Sequence, residues 1–291
     1  MMNIMFDNIS KKYKKKYVLD NFSAELNQGI YGILGANGAG KTTLLNIFVG
    51  ILKSDTGNIF IDEINIKKLG SEFLSYIGYL PQYPMFYKNF EVLDFLKYMC
   101  AIKNIPKNEG IKRAKELLEI VNLRDVYYKK IGALSGGMRQ RVGIVQAMLG
   151  DPKILILDEP TAGLDPRERI RFRNLISKFS ENRIVLLATH IVSDVEFIAN
   201  QVIILKEGHL IKQDTPTVLI DEIEGKVWTV TTTNSKIDDR YEKYKISNIL
   251  RDNNDILLRI ISNEKPDVKA KNVKPNLEDV FLYYCGEDNV C

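Results

Sequence analysis

The chain has 291 residues, of which 45% are hydrophobic and 27% charged, and a net charge of +4. That composition suits a globular protein with a real core, and the weak positive balance does not by itself call for nucleic acid. Three scattered cysteines, Cys100, Cys285 and Cys291, exclude a disulfide framework and a cysteine zinc site and fit a reduced, intracellular setting. The N-terminal Met-Met-Asn-Ile-Met-Phe-Asp lacks the basic start and apolar centre of a signal peptide, and no apolar run approaches the roughly 20 residues of a membrane span.

Residues 1–30 read as strands around a basic turn. Ile4-Met5-Phe6 and Ile9 are apolar, and Ala24-Glu25-Leu26 leads to the turn signal Asn27-Gln28-Gly29. Between them Lys11-Lys12-Tyr13-Lys14-Lys15-Lys16-Tyr17 reads as a solvated basic turn. A sharper reading brings one aromatic ring, Tyr13 or else Tyr17, beside a bound base.

Ile30-Tyr31-Gly32-Ile33-Leu34 is a short apolar run of the buried-strand kind. From Thr42 onward Leu44, Leu45, Phe48, Val49 and Leu52 recur at helical spacing. Between the two, Gly35-Ala36-Asn37-Gly38-Ala39-Gly40-Lys41-Thr42-Thr43 carries G-x-x-x-x-G-K-T, the phosphate-binding loop pattern. Its glycines let successive N–H groups point into one hollow, and the following helix adds the positive end of its dipole. Lys41 offers a charge to outer phosphates and Thr42 a hydroxyl to Mg²⁺. The strand–loop–helix context separates this stretch from a chance glycine turn.

Further on, Ser54-Asp55-Thr56-Gly57 is a turn, Asn58–Ile61 a strand, and Ile77-Gly78-Tyr79-Leu80 a strand that ends at Pro81. Gln82 follows, at the edge where a parallel sheet places its ligands, able to bind Mg²⁺ through its carbonyl or to hold a water. Residues 84–150 change to helical periodicity, as in Phe90–Met99 and Ile111–Val121, and read as a helical insertion. The cluster Tyr83, Pro84, Met85, Phe86 and Tyr87 that opens it suits either core or a surface gripping another protein's helix.

Leu134-Ser135-Gly136-Gly137-Met138-Arg139-Gln140 opens a helix, with Ser135 its N-cap, and forms a second anion-ready N-terminus. Two phosphate cradles in one chain make sense if the second serves a nucleotide held by another copy. Ile154-Leu155-Ile156-Leu157-Asp158-Glu159 is a buried strand ending in two acids. Asp158 is placed to hold Mg²⁺ through water, and Glu159 to take a proton from, or orient, an attacking water. Ile184–Thr189 is another strand with His190 at its end, able to meet a γ-phosphate and the water of Glu159 together. Val202–Leu205 is a further strand, and His209, just past a turn, reads as solvated.

Beyond residue 220 the chain is a small β/α unit with no catalytic constellation. Trp228–Thr233 and Ile256–Ile261 are β-rich, Asp252-Asn253-Asn254-Asp255 is a turn, and Asn276 caps a short helix over Leu277–Leu282.

With Gly35–Thr43, Gln82, Leu134–Gln140, Ile154–Glu159, Ala162–Asp165 and His190 in this order, the chain resembles the nucleotide-binding subunits of ATP-binding cassette (ABC) transporters over residues 3–220. The resemblance implies an α/β fold: a P-loop core with a mixed sheet, an antiparallel β subdomain, a helical insertion at about 84–150 and an accessory unit at 221–291. It implies ATP as substrate with Mg²⁺, and a membrane permease and a second cassette, identical or related, as partners, with no nucleic acid. The place it implies is peripheral, on the cytoplasmic face of the membrane.

Family roles follow by position. Tyr13 resembles the adenine-stacking aromatic, Gln82 the Q-loop residue, Glu159 the catalytic glutamate, His190 the switch histidine, and Asp165 the aspartate that crosses a dimer interface. Each ATP would lie between one P-loop and the Ser135-Gly136-Gly137 of the other copy. The signature reads Ser-Gly-Gly-Met where Ser-Gly-Gly-Gln is commoner, as in many exporter-type subunits. The segment Asn276–Leu282 resembles the tail of bacterial ABC-2 exporter subunits, including those of bacitracin and lantibiotic self-protection. An importer subunit, or a soluble ABC protein acting on ribosomes or DNA, is the alternative; the latter usually carries two cassettes or a long coiled-coil insertion.

Overall fold

The computed structural model describes residues 2–232, 243–252 and 255–286. From the N-terminus, β1 (Ile4–Tyr13), β2 (Lys16–Leu26) and β3 (Gly29–Leu34) lead into α1 (Lys41–Phe48). Then come β4 (Thr56–Ile61), β5 (Ile64–Asn65), α2 (Ile66–Leu69) and β6 (Ile77–Leu80). Helices α3 (Val92–Ile102), α4 (Lys107–Ile120) and α5 (Gly136–Met148) precede β7 (Ile154–Asp158), α6 (Pro166–Phe179), β8 (Ile184–Thr189) and α7 (Val192–Glu196). After β9 (Gln201–Lys206), β10 (His209–Asp214) and α8 (Pro216–Asp221) the chain enters β11 (Val227–Thr232), β12 (Lys245–Asp252), β13 (Asp255–Ile261) and β14 (Lys271–Asn272). A C-terminal helix spans Leu277–Cys285.

The central sheet has the order β10-β9-β3-β8-β7-β6. It is parallel apart from the edge strand β10, which runs against β9. Its strands are apolar on both faces because both faces are covered. Ile30, Leu34, Leu155, Leu157, Val185 and Leu187 enter one core with the helices of residues 92–148, α6 and α7. Their alternate neighbours, Tyr31, Ile33, Ile154, Ile156, Ile184 and Leu186, enter a second core with α1 and the antiparallel sheet β2-β1-β4-β5. One helix lies very close: a Cβ on Gly32 of β3 would stand 2.1 Å from Val195 Cγ1 of α7, so only glycine admits α7 at this depth.

The basic run is not the turn its charge suggests. Strand pairing continues through it, with Lys11 opposite Leu19, Lys12 opposite Tyr17 and Tyr13 opposite Lys16, leaving Lys14 and Lys15 as the turn. The lysines are tolerated in strand because they find partners. Lys11 pairs with Asp55 at 2.8 Å and lies 5.8 Å from the Tyr13 ring centroid, and Lys12 stands 4.8 Å over Tyr17.

The C-terminal sheet has the order β12-β13-β11-β14, and its strands are antiparallel. Thr233, the Asn253-Asn254 turn and Cys291 lie outside the described residues. The C-terminal helix begins with a capping box: Asp279 N–H donates to Asn276 Oδ1 and Asn276 N–H to Asp279 Oδ2, both at 2.9 Å. Asp279 is fully buried and takes further hydrogen bonds from Arg259 Nη2 at 2.7 Å and Ser247 Oγ at 2.7 Å, which fasten the helix to the sheet. The helix also turns inward. Leu277 and Val280 join the same core as Leu219, Val192 and Val195, so this helix packs onto α7 and α8, while Val230, Ile256, Leu258 and Ile260 of the C-terminal sheet form a core of their own.

Candidate active site

Three parallel strands, β3, β7 and β8, end at one edge, where such sheets bind ligands. The loop 35–40 leaves β3, Asp158 and Glu159 end β7, and Thr189 and His190 end β8. Gly40 caps α1 with φ 108°, and a Cβ there would stand 2.5 Å from the Val18 carbonyl, so the loop needs glycine for both shape and space. No side chain caps α1 and no acid lies in its first turn, which leaves its N–H groups and dipole facing the loop.

The Lys41 ammonium is almost wholly buried. It donates to the Gly35 carbonyl at 2.7 Å and the Ala36 carbonyl at 3.3 Å, and stands 3.6 Å from Glu159 Oε1. Glu159 is 5% exposed and has a left-handed backbone, φ 46°, held by its N–H bond to the Ala188 carbonyl at 2.8 Å. Its Oε2 lies 2.8 Å from His190 Nδ1 and 3.3 Å from Thr189 Oγ1. A carboxylate only accepts, so with Glu159 ionised the histidine hydrogen sits on Nδ1 and Nε2 is free. Thr189 is fully buried, and its hydroxyl also accepts from the Ile191 N–H at 3.0 Å.

Asp158 is 1% exposed. Thr42 Oγ1 donates to its Oδ1 at 3.2 Å, while its buried Oδ2 has no hydrogen-bond partner among the described residues. Burial pushes its carboxyl above the ordinary range; the Thr42 bond pulls it down, Glu159 next door pushes it up again, and Lys41 draws it down. A hydroxyl, a carboxylate with an unpartnered oxygen and the nearby Gln82 amide form a sparse oxygen donor set. Mg²⁺ suits such a set, because it keeps several waters of its own.

Val18, Asn37, Lys41, Thr42, Gln82 and Glu159 are among the residues lining one cleft of about 340 Å³. The expected residues Gly38, Gly40 and Thr43 line it too, and Gly35, Ala36 and Ala39 complete the loop above it. Val18 is a lining residue that motif reading misses, since it belongs to the hairpin 20 or so positions upstream.

Other expected residues stand elsewhere. Ser135 caps α5 by accepting from the Met138 N–H at 3.2 Å. Ser135 and Gly136 are exposed and lie outside the cleft. Asp165 caps α6 by accepting from the Glu168 N–H at 2.9 Å, and is exposed. The two caps are joined through Glu168, whose carboxylate is 3.4 Å from the buried Arg141 of α5 and packs against Gly137. Tyr13 and Tyr17, each 47% exposed, leave opposite faces of the β1–β2 ladder. In the aromatic cluster Phe86 packs on Phe95 at 5.6 Å, whereas Tyr83 and Met85, 80% and 92% exposed, stand free of the core.

These features define a P-loop ATPase, and comparison with known proteins narrows the class. A profile of the ABC transporter family matches residues 19–162. The ABC transporter ATP-binding protein YhcH of Bacillus subtilis is 30% identical over 298 residues, covering 96% of this chain and 95% of its own. The lipopolysaccharide export system ATP-binding protein LptB of Escherichia coli K12 is 36% identical over 234 residues, 78% of this chain and 97% of LptB. Among solved structures, cbiO1 of Clostridium perfringens, part of the ABC transporter complex cbiONQ, superposes with TM-score 0.69 at 28% identity, covering 75% of this chain and 90% of cbiO1. The dimeric cassette MJ0796 in a post-hydrolysis state with ADP and phosphate gives TM-score 0.66 at 27% identity, covering 73% and 98%. The chain belongs to the ABC transporter family, as an ATP-binding subunit. It is an ABC-type ATPase.

The raised Asp158 carboxyl has a consequence for stability. Its stabilising, protonated form is kept below the unfolded value and is lost as pH rises through the higher folded value. Asp158→Asn is therefore expected to unfold at higher denaturant than the parent at neutral pH without nucleotide or Mg²⁺, the gain shrinking as pH falls into the carboxylate range. Equal midpoints across that series would remove the burial effect assigned to the Asp158 carboxyl.

Proposed function

We propose that this chain powers export through a separate membrane permease, working as one of a pair of ATP-hydrolysing cassettes. One observation carries the reading: Lys41, Thr42, Gln82 and Glu159 share a cleft that Ser135, Gly136 and Gly137 do not line. A nucleotide held by the P-loop meets a Ser-Gly-Gly cradle when a second cassette supplies it, and the dimeric state of MJ0796 supports that arrangement. Asp165, beside the cradle through Glu168, would cross with it.

In this reading the N–H groups of the loop and of α1 hold the phosphates, and Lys41 exchanges its carbonyl partners for the outer ones. Thr42, Asp158 and Gln82 would hold Mg²⁺, which would supply positive charge beside the phosphates. Glu159 orients the attacking water and takes its proton as the new P–O bond forms and the bond to the ADP oxygen breaks. His190 fixes the carboxylate through Nδ1 and meets the γ-phosphate through Nε2. Tyr13 stacks on adenine.

The exposed Tyr83 and Met85 next to Gln82 suit a docking surface for the permease, which would place the chain on the cytoplasmic face of the membrane. No helix among the described residues is long and apolar enough to cross a membrane. Export is favoured by the tail around Asn276–Leu282 and by the export role in the name of LptB. The net charge of +4 gives no support to nucleic acid as a partner.

Glu159→Gln is expected to lower ATP turnover by about 100-fold or more, with an ATP-bound pair accumulating in size-exclusion chromatography. Turnover at the parent rate would reject Glu159 as the base. Tyr13→Ala should raise the KM for ATP more than Tyr17→Ala does, and the reverse order would move the stacking role to Tyr17. Purification from native membranes should carry a polytopic membrane protein along with the chain; sedimentation with ribosomes instead would favour a soluble ABC factor.

A further inference from the structure

The segments that leave β7 and β8 run side by side and are pinned to each other twice. The first pin is Glu159, whose Oε2 takes hydrogen bonds from Thr189 and His190. The second lies deeper along both segments: Thr161 Oγ1 donates to Asp194 Oδ2. Thr161 and Asp194 are each 1% exposed. Asp194 Oδ1 is buried as well, with no hydrogen-bond partner among the described residues. Burying a carboxylate for one hydroxyl bond is costly, and an apolar pair would fill the space at less cost.

We propose that Asp194 is a positioning residue for ATP hydrolysis: through Thr161 it holds the turn carrying Glu159 against the helix that follows His190. This rests on the reading of Glu159 and His190 as the hydrolytic pair.

Both sides of the second pin are stiff enough to transmit position. Only one residue separates Thr161 from Glu159. The turn that holds both is closed by Ala162 N–H to the Glu159 carbonyl at 3.2 Å and continued by Leu164 N–H to the Thr161 carbonyl at 3.1 Å. Glu159 itself sits at φ 46°, a conformation that its surroundings must enforce. On the other side, Asp194 is four residues past His190 in α7. That helix is seated on Gly32 through Val195, and its Ser193 carbonyl takes Arg173 Nη1 at 2.6 Å. Glu196, at its end, accepts from the Leu277 N–H at 3.3 Å. With α7 held by the sheet, by α6 and by the C-terminal helix, the Thr161–Asp194 bond sets where Glu159 lies relative to His190.

The test uses the full chain, with steady-state Mg·ATP hydrolysis and ATP binding measured together. Thr161→Val keeps the shape and removes the donor. It should lower kcat by about tenfold or more while KM stays within about twofold, as expected when reacting groups are misplaced and binding is not. Thr161→Ser, which keeps the hydroxyl, should restore the rate. In a His190→Ala background Thr161→Val should cost less than about twofold, because the alignment it protects is already lost. An equal loss in both backgrounds, or a loss of folded protein with unchanged kcat per folded molecule, would make the pair merely structural and overturn the proposal. If Glu159→Gln and His190→Ala each lower turnover strongly, with a measurable residual rate in His190→Ala, while Thr161→Val matches the parent, this inference alone fails. Parent-like turnover in both Glu159→Gln and His190→Ala would overturn the reading of the site, and the inference with it.

Discussion

A buried carboxylate must be matched by charge and hydrogen bonds or it does not stay charged. Glu159 at the end of β7 is matched by Lys41 after β3 and by Thr189 and His190 at the end of β8, so the group draws on three parts of the chain. The three can converge because β3, β8 and β7 are parallel neighbours whose ends lie at one edge. The sheet order is thus what makes the site possible. The alternating apolar side chains that bury both faces of the sheet in turn make that order stable.

The same convergence divides the polar features of the chain into two groups. Lys41, Thr42, Glu159 and Gln82 line one cleft, with Asp158 bonded to Thr42 behind it. Ser135 and Asp165 are helix caps tied through Glu168 and Arg141, outside it. A single chain therefore presents a cleft on one hand and a free anion-ready helix end on the other. That is the pattern expected where two cassettes meet across a two-fold axis, each cleft facing the other's helix end, and it underlies the proposed mechanism.

Much of this was readable in the sequence where the signal is local. The P-loop sits within one strand–loop–helix unit, the Asp158–Glu159 pair ends one apolar run, and Ser135 and Asn276 cap helices a few residues ahead. What was not readable depends on which elements face each other. Thr161 and Asp194 lie 33 positions apart, and nothing in either segment alone announces the bond. Thr189 reads as one more strand residue until Glu159 is placed beside it. The basic run around Tyr13 reads as a turn by charge, yet Asp55 and the facing strand draw it into the ladder. The C-terminal unit reads as an appendage because its own strands are coherent; that its helix completes a distant core is a matter of tertiary packing.

That inward helix bears on how the protein is made. Leu277 and Val280 fill positions beside Val192, Val195 and Leu219, in the core that backs the catalytic edge. The helix leaves the ribosome after every other described element. Until it arrives, the growing chain carries an uncovered apolar seam next to α7, a surface open to chaperones and to other nascent chains. The helix therefore closes this part of the core, and a product truncated before it would keep most of the nucleotide-binding residues while lacking the packing that seats them.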